Sequence, residues 1–114
     1  MEQRRFFGQI GRIRPECIAE YCRLHEVEIY TDRWAGVREL IRACNIENYS
    51  IFIEDDVVFG YYEYTGSNYE ADMAKMANDP LNQAWWAHTR PCFTKYKDTS
   101  AEAFYSDMKQ IFHL

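Results

Sequence analysis

The fold is decided by one stretch, which reads Tyr49-Ser50-Ile51-Phe52-Ile53, then Glu54-Asp55-Asp56, then Val57-Val58-Phe59-Gly60-Tyr61-Tyr62-Glu63-Tyr64. Its two outer parts are rich in β-branched and aromatic residues, which favour strands. The three acidic residues between them form a connection that is short enough for a hairpin. The stretch therefore predicts an antiparallel pair of strands at 49–53 and 57–64.

Both faces of this predicted hairpin are apolar. One face carries Tyr49, Ile51, Ile53, Val58, Tyr62 and Tyr64, and the other carries Phe52, Val57, Phe59 and Tyr61. Helices of the same chain can cover one face, whereas the second would be an aggregation liability in a monomer. We therefore expect a homodimer in which two sheets pack face to face. The alternative is that a short amphipathic segment of the same chain folds over that face.

Four segments outside the hairpin carry apolar residues at steps of three and four, which is typical of helices. The first begins at Pro15, a residue well suited to the first helical position. The second follows a predicted cap at Thr31-Asp32, the third a predicted cap at Ser67, and the fourth begins near Pro80. Four helices are therefore expected.

Two further strands complete the expected order. Arg5–Ile13 alternates loosely between apolar and other residues, and the tail Gln110–Leu114 has the composition of a strand. The order predicts an α+β fold of the ferredoxin-like type, with a four-stranded antiparallel sheet and helices on one face. A length of 114 residues suits a single domain, 1–114.

Composition excludes several classes of function. Hydrophobic residues make up 47% of the chain, enough for a packed core, and the net charge of −5 would repel nucleic acid and an anionic membrane surface. No stretch approaches the roughly 18 apolar residues of a membrane span. The start, Met1–Phe7, lacks the apolar region of a signal peptide, and the four cysteines lie at core-like positions. We therefore expect a cytoplasmic protein with free thiols.

Tyr21 and His25 are the first candidates for chemistry. Their spacing of four residues places both side chains on the same face of the first helix, where a proton donor could lie beside a hydroxyl. The alternative interpretation is a core histidine that is satisfied by a backbone carbonyl. Spacing alone does not decide between the two.

Trp85 and Trp86 are the second candidates. Adjacent side chains on a helix diverge by about 100°, so we expect one ring to pack inward while the other borders a cavity. Aromatic rings beside a cavity suit a sugar, because the C–H patches of a pyranose stack on them. A plain tryptophan core is the alternative.

Other kinds of site lack their signatures. Cys22 and His25 are half of a metal site, but no second pair has a matching spacing. The chain carries no Gly-rich phosphate loop and no GxSxG or HExxH motif. We therefore expect no metal and no cofactor, and the chemistry that remains is proton transfer.

Four separated segments resemble the L-rhamnose mutarotase family: Tyr21–His25, Glu47–Phe52, Trp85-Trp86 and Met108–Leu114. The resemblance implies a dimeric α/β barrel, and an isomerase that interconverts the α and β anomers of a free 6-deoxyhexose without a cofactor. It also implies that His25 is the proton donor and that Tyr21, Tyr49, Trp85 and Trp86 contact the sugar. No motif ties a carboxylate to this site, so the general base stays unassigned; a water molecule or a second tyrosine could serve.

One segment departs from the family pattern. Family members usually have Trp-Pro-Glu soon after the helical histidine, whereas Glu26–Trp34 contains no proline and is longer. Because this segment is expected to border the pocket, L-fucose is an alternative substrate. A non-catalytic dimeric barrel that binds a small ligand, and a cofactor-free monooxygenase on the same scaffold, also stay open.

Overall fold

The computed structural model of this chain describes residues 4–114. Met1–Gln3, the beginning of the segment in which no signal peptide is expected, lie outside the described residues. None of the helices in the described range combines the length and the apolar character that crossing a membrane requires.

An antiparallel sheet forms one layer of the molecule. Its strands are β1 (Arg5–Ile13), β2 (Ile46–Glu54), β3 (Val57–Tyr64), β4 (Phe93–Thr94) and β5 (Ser106–Asp107). The order is β2-β3-β1-β4, and β5 also pairs with β1, so the described sheet has five strands and the predicted number of four is wrong. The two-residue strand β4 is too short to show an alternating pattern. The central position of β1 and β3 agrees with a split βαβ arrangement. The predicted first strand and the predicted hairpin are confirmed, although β2 begins earlier, at Ile46.

A bulge in β2 turns one aromatic residue toward the helices. The pairing of β2 with β3 shifts register between Glu47 and Ser50, and Asn48 has a φ of 52°, in the left-handed region. Strict alternation would place Tyr49 and Ile46 on opposite faces of the sheet. The bulge brings Tyr49 to the face of Tyr62, with their ring centroids 5.8 Å apart.

Four α-helices lie in the described part of the chain, close to the four predicted segments. They are α1 (Ile18–Glu26), α2 (Ala35–Ala43), α3 (Tyr69–Asn78) and α4 (Pro80–Thr89). One 3₁₀ turn precedes α1 and two connect α1 to α2. One more follows α4 at Pro91, where the proline prevents the α-helix from continuing. The mixed α+β class is therefore confirmed.

Two predicted helix caps are wrong. Asn68, and not Ser67, caps α3, because its Oδ1 accepts a hydrogen bond from the backbone N–H of Ala71 at 3.1 Å. The hydroxyl of Thr31 caps no helix, since it donates to the carbonyl of Glu28 at 2.8 Å. In both places local hydrogen bonds decide the cap within a turn that periodicity does not resolve.

The helices cover the face of β3 on which residues 58, 60, 62 and 64 are buried. Beneath α1, the core is formed by Ile13, Tyr21, Val58 and Phe93. A second cluster joins Leu24, Trp34, Val37 and Trp85 between the helices. We call this face the inner face and the opposite one the outer face.

The predicted final strand at 110–114 is wrong. The chain pairs with β1 earlier, at Ser106–Asp107, and the backbone N–H of Met108 donates to the carbonyl of Gly8 at 2.8 Å. The tail then leaves the sheet; Ile111 is 88% exposed and Phe112 is 76% exposed. Apolar composition favoured a strand there, but composition does not show where the chain leaves the sheet: the pairing with β1 ends just after Asp107, at the hydrogen bond of the Met108 N–H.

Candidate active site

A cavity of about 430 Å³ lies between the inner face of the sheet and helices α1 and α4. Its walls include all five residues that the sequence singles out: Tyr21, His25, Tyr49, Trp85 and Trp86. A second cavity of about 740 Å³ shares His25, Tyr49 and Trp85 with the first and extends along α2 and the start of β2. The size and the mostly apolar, partly aromatic lining suit a small organic ligand.

The ring of His25 is oriented by its own helix. Its Nδ1 lies 2.8 Å from the backbone carbonyl oxygen of Tyr21, one turn earlier. A carbonyl oxygen only accepts, so Nδ1 carries the hydrogen and the neutral ring keeps its lone pair on Nε2. The alternative interpretation of His25, a histidine satisfied by a backbone carbonyl, is therefore correct for Nδ1. The same ring nevertheless lines the cavity.

Burial tunes the protonation of this histidine. Desolvation lowers the pKa of His25, and the hydrogen bond to the Tyr21 carbonyl raises it in part. The net shift is downward, so the ring is neutral at neutral pH and Nε2 is able to accept a proton. An accepted proton is then easily returned, because the charged ring is disfavoured in this environment.

The side chain of Tyr21 lies against that ring. The ring centroids of Tyr21 and His25 are 4.3 Å apart, and Phe93 meets the Tyr21 ring edge-on at 5.4 Å. The Tyr21 hydroxyl oxygen lies 3.2 Å from that of Tyr105. Burial raises the pKa of Tyr21, so its hydroxyl stays protonated at neutral pH.

The two tryptophans divide their roles as predicted from their adjacency. Trp85 is only 6% exposed and packs edge-on against Trp34 and His25, with ring centroids 5.1 Å and 5.6 Å away. Trp86 is half-buried, and the guanidinium of Arg90 lies 4.0 Å from its ring centroid. Trp85 therefore holds the His25 ring in place, while Trp86 presents aromatic surface at the cavity.

Several residues of the cavity wall were missed by the sequence analysis. They are Gln9, Arg90, Glu102, Tyr105 and Asp107. The last three come from residues 95–107, a loop and a two-residue strand with no hydrophobic period. A long irregular loop that returns to the sheet is itself a signal of function, and the pair Phe104-Tyr105 within it was the available clue.

Two of these missed residues, Glu102 and Asp107, place carboxylates at the cavity, where no sequence motif had indicated one. Asp107 Oδ1 accepts a hydrogen bond from Gln9 Nε2 at 2.8 Å, and Glu102 lies near Arg90, whose pKa burial lowers. Within residues 4–114, no three His, Cys, Asp or Glu side chains are grouped so as to hold a metal ion. The two carboxylates, the tyrosine hydroxyls and Nε2 of His25 suit proton exchange and hydrogen bonding with a polar ligand.

The segment 26–34 borders the second cavity. It forms two 3₁₀ turns, Glu28–Tyr30 and Asp32–Trp34, and Ile29 and Tyr30 line the cavity wall. The Arg38 guanidinium donates hydrogen bonds to the carbonyls of Ile29 and Thr31. The segment that departs from the family pattern is therefore tied to α2 and forms part of the pocket boundary.

Comparison of the sequence with known proteins identifies a family. The L-rhamnose mutarotase family model matches residues 6–114. An L-rhamnose mutarotase of Opitutus terrae is 33% identical over 104 residues, which are 90% of this chain and 90% of that protein. The match to the family model therefore includes the helix that carries His25, the helix that carries Trp86, and the C-terminal tail.

Comparison of the fold with solved structures gives two similar chains. The crystal structure of an L-rhamnose mutarotase from Formosa agariphila matches with a TM-score of 0.70 and 16% identity, over 96% of this chain and 98% of that one. A NIPSNAP family protein from Agrobacterium tumefaciens matches with a TM-score of 0.58 and 18% identity, over 88% and 91%. Since the two differ in name, the shared fold does not by itself assign an activity.

Proposed function

This chain belongs to the L-rhamnose mutarotase family, and on that premise we propose how it acts as an isomerase that interconverts the α and β anomers of L-rhamnose. The observation that carries the proposal is that one cavity brings together Tyr21, His25, Tyr49, Trp85 and Trp86. These residues come from α1, β2 and α4, which are far apart in sequence. Among them, Trp85 is assigned to holding the His25 ring and to contacting the bound sugar.

Mutarotation requires two proton movements and no redox step. A proton leaves the anomeric hydroxyl, another reaches the ring oxygen, and the C1–O5 bond breaks to give the open aldehyde. Rotation about the C1–C2 bond and the reverse proton movements close the ring on either face. One group must therefore accept a proton in the opening step and donate it in the closing step.

His25 is assigned to that exchange. Its Nδ1–H is held by the Tyr21 carbonyl, so Nε2 has the lone pair that accepts the anomeric proton. Burial lowers the pKa of the ring, which favours return of the proton. The resemblance implies a proton donor in ring opening; with this tautomer we assign His25 instead as the acceptor in ring opening and as the donor in ring closing. General acid–base help of this kind accelerates reactions by roughly 100- to 10,000-fold.

The aromatic residues are assigned to sugar binding. Trp86 and Tyr49 offer ring surface to the C–H patches of the pyranose, and the hydroxyl of Tyr21 offers a hydrogen bond. An apolar part of the wall, with Ile41, Met73 and Met76, suits the C6 methyl group of a 6-deoxyhexose better than a hydroxymethyl group, which would need a hydrogen-bond partner. A monosaccharide is therefore the proposed ligand.

A homodimer formed through the outer face is also proposed. Phe52 is 62% exposed on that face, and the tail adds Ile111, Phe112 and Leu114, which are all highly exposed. The ring of His113 lies 4.3 Å from that of Phe6, so the tail runs beside the same face. Sedimentation should give twice the monomer mass, and Phe52→Asp should shift it toward monomer. A monomeric parent protein would favour the alternative, in which the tail alone covers the face.

A cytoplasmic location is proposed from the thiols. All four cysteines, Cys17, Cys22, Cys44 and Cys92, are free, and Cys44 and Cys92 are buried. Burial raises the pKa of Cys92 to about 11, which makes it an unreactive core thiol. Free thiols of this kind are typical of a reducing compartment.

The substrate is tested by measuring anomer exchange directly. Saturation-transfer NMR on equilibrated L-rhamnose and L-fucose reports the exchange rate of each sugar with and without the protein. We expect the protein to accelerate L-rhamnose exchange more than L-fucose exchange. Faster exchange of L-fucose would reverse the substrate order and would point to segment 26–34 as the cause. No acceleration of either sugar by the folded protein would leave a non-catalytic binding module.

A further inference from the structure

The loop between β4 and β5, residues 95–105, brings a second tyrosine hydroxyl into the cavity. The hydroxyl oxygens of Tyr105 and Tyr21 are 3.2 Å apart, which is within hydrogen-bond reach. Phe93 packs against the Tyr105 ring with centroids 5.2 Å apart and an interplanar angle of 65°. Tyr105 is therefore fixed from two sides, by its ring and by its hydroxyl.

A glycine in the sheet makes room for this ring. A Cβ at Gly60 would lie 3.2 Å from Cε1 and 3.3 Å from Cζ of Tyr105. The neighbouring inward positions of β3 carry side chains at Val58 and Tyr62, so the Tyr105 ring occupies the space left over Gly60. Contacts with Gly60, Phe93 and Tyr21 therefore fix the position of Tyr105.

We propose that Tyr105 is a positioning residue for the anomer exchange, because its hydroxyl orients the Tyr21 hydroxyl toward the ring oxygen of the sugar. This inference rests on the proposed mutarotase function. Each phenol hydroxyl can donate one hydrogen bond and accept others. When Tyr21 directs its proton to the sugar, Tyr105 is able to donate to the Tyr21 oxygen.

The step balances without a further reactant. In ring opening, the Tyr21 O–H bond breaks and an O5–H bond forms, while the anomeric O–H bond breaks and an Nε2–H bond forms on His25. The C1–O5 electron pair goes to O5, and C1=O1 forms. The hydrogen bond from Tyr105 stabilises the charge that develops on the Tyr21 oxygen. Ring closure reverses every transfer and restores both residues.

Tyr49 also lines this cavity and lies close enough to Tyr21 and Tyr105 to raise their mutual electrostatic cost of ionisation, whereas the two carboxylates lie apart from the pair. The Asp107 carboxylate accepts from Gln9, and both Asp107 and Glu102 are exposed. The hydrogen bond of the Tyr21 hydroxyl within the described residues is the one to Tyr105. Burial raises the pKa of Tyr105 as well, so the pair is fully protonated at neutral pH.

Tyr105→Phe tests the inference, since it removes the hydroxyl and keeps the ring on Gly60. We expect kcat for L-rhamnose exchange to fall roughly 10- to 100-fold, with KM changed less than about twofold, because the interaction strengthens as charge develops. Tyr96→Phe is the matched control: Tyr96 lies in the same loop, but its ring packs under Arg12 and does not line the cavity. It should leave kcat unchanged.

A second variant distinguishes a positioning role of Tyr105 from a nonspecific loss of packing around the cavity. Gly60→Ala pushes on the Tyr105 ring and should lower kcat in the parent protein, but should add little to Tyr105→Phe, because both act on the same hydroxyl. Additive effects would overturn the inference, as would an unchanged kcat in Tyr105→Phe while the parent accelerates exchange. A parent that fails to accelerate exchange would overturn the proposed function and this inference together.

Discussion

Two clusters of polar side chains lie against the inner face of the sheet. We call one the closed cluster and the other the open cluster, according to whether the cluster lines the cavity. In the closed cluster, Asp72 Oδ2 accepts from the Tyr64 hydroxyl at 2.6 Å and from Asn45 Nδ2 at 2.9 Å. In the open cluster, His25, Tyr21 and Tyr105 are joined by two hydrogen bonds, and all three line the cavity. None of the three residues of the closed cluster is among the wall residues of this cavity.

The two clusters are built by the same device. Gly66 admits the Tyr64 hydroxyl, since a Cβ there would clash with it, just as Gly60 admits the Tyr105 ring. Each tyrosine then bonds to a group on another element of the fold. The difference lies in the partner of the tyrosine hydroxyl, which is a carboxylate in the closed cluster and a second hydroxyl in the open one.

This comparison shows that a buried ionisable group does not by itself mark a site. Hydrogen bonds from Tyr64 and Asn45 lower the pKa of Asp72, and Lys75 adds a weaker contribution, so its charge is held in a structural role. In the open cluster, burial alone dominates and keeps His25 neutral. A cavity beside incompletely bonded groups is what indicates chemistry.

Replacing His25 by Ala should give the largest effect. We expect L-rhamnose anomer exchange to slow by about 100- to 10,000-fold, because the group that exchanges the anomeric proton is lost. Saturation-transfer NMR measures the rate, and circular dichroism verifies the fold. His88→Ala is the control, since His88 lies on the exposed side of α4 and does not line the cavity. Equal rates for the two variants would contradict the role of His25.

Replacing Tyr64 by Phe, in the closed cluster, should lower stability and leave catalysis nearly unchanged. The free energy of unfolding should fall by about 1–3 kcal/mol, because the buried Asp72 carboxylate loses a donor. The exchange rate of the folded variant should stay within about twofold of the parent. Urea denaturation followed by fluorescence provides the stability. A large loss of kcat with unchanged stability would show that the closed cluster takes part in catalysis.

Replacing Trp86 by Ala should have a smaller effect, and mainly on binding. We expect KM for L-rhamnose to rise roughly 3- to 10-fold, since ring surface for the sugar is removed, while kcat changes little. Initial exchange rates over a range of sugar concentrations separate the two parameters. An unchanged KM would argue against contact between Trp86 and the sugar.

A change of pH near neutrality should affect kcat/KM less than any of these substitutions. Protonation of His25 removes the Nε2 lone pair, so kcat/KM should be level at neutral pH and should fall as the pH drops through the His25 pKa. Because burial lowers that pKa, the fall should occur below the ordinary value near 6.5. Acid also destabilises the fold, since the unfolded chain binds more protons at His25 and Asp72. Rates must therefore be taken where circular dichroism shows folded protein.

Sequence patterns predicted the parts of this molecule that are periodic. The hairpin, β1 and the four helices follow from alternation and helical spacing, and the i, i+4 relation of Tyr21 and His25 predicted their contact. The error in the tail has the same origin, because an apolar run at 110–114 was taken for a strand although the pairing with β1 ends near Asp107. Such patterns register local preference and not which edge of a sheet is free.

The part of the site that sequence could not predict depends on contacts between distant residues. Tyr105 has no partner nearby in sequence: its hydroxyl meets Tyr21, 84 residues away, and its ring lies over Gly60. The tautomer of His25 likewise follows from one distance to a carbonyl. Residues 95–105 form no regular element, so no spacing rule placed them at the cavity.

The most direct test is the protonation state of His25 in the ¹⁵N-labelled protein. Long-range ¹H–¹⁵N correlation at neutral pH, with His25 assigned by its loss in His25→Ala, should show a protonated Nδ1 and an unprotonated Nε2. Adding L-rhamnose should shift the Nε2 resonance strongly while those of His88 stay in place. Protonation of Nε2 in the neutral ring, or an Nε2 resonance that L-rhamnose does not move, would contradict the assignment of the open cluster as the active site.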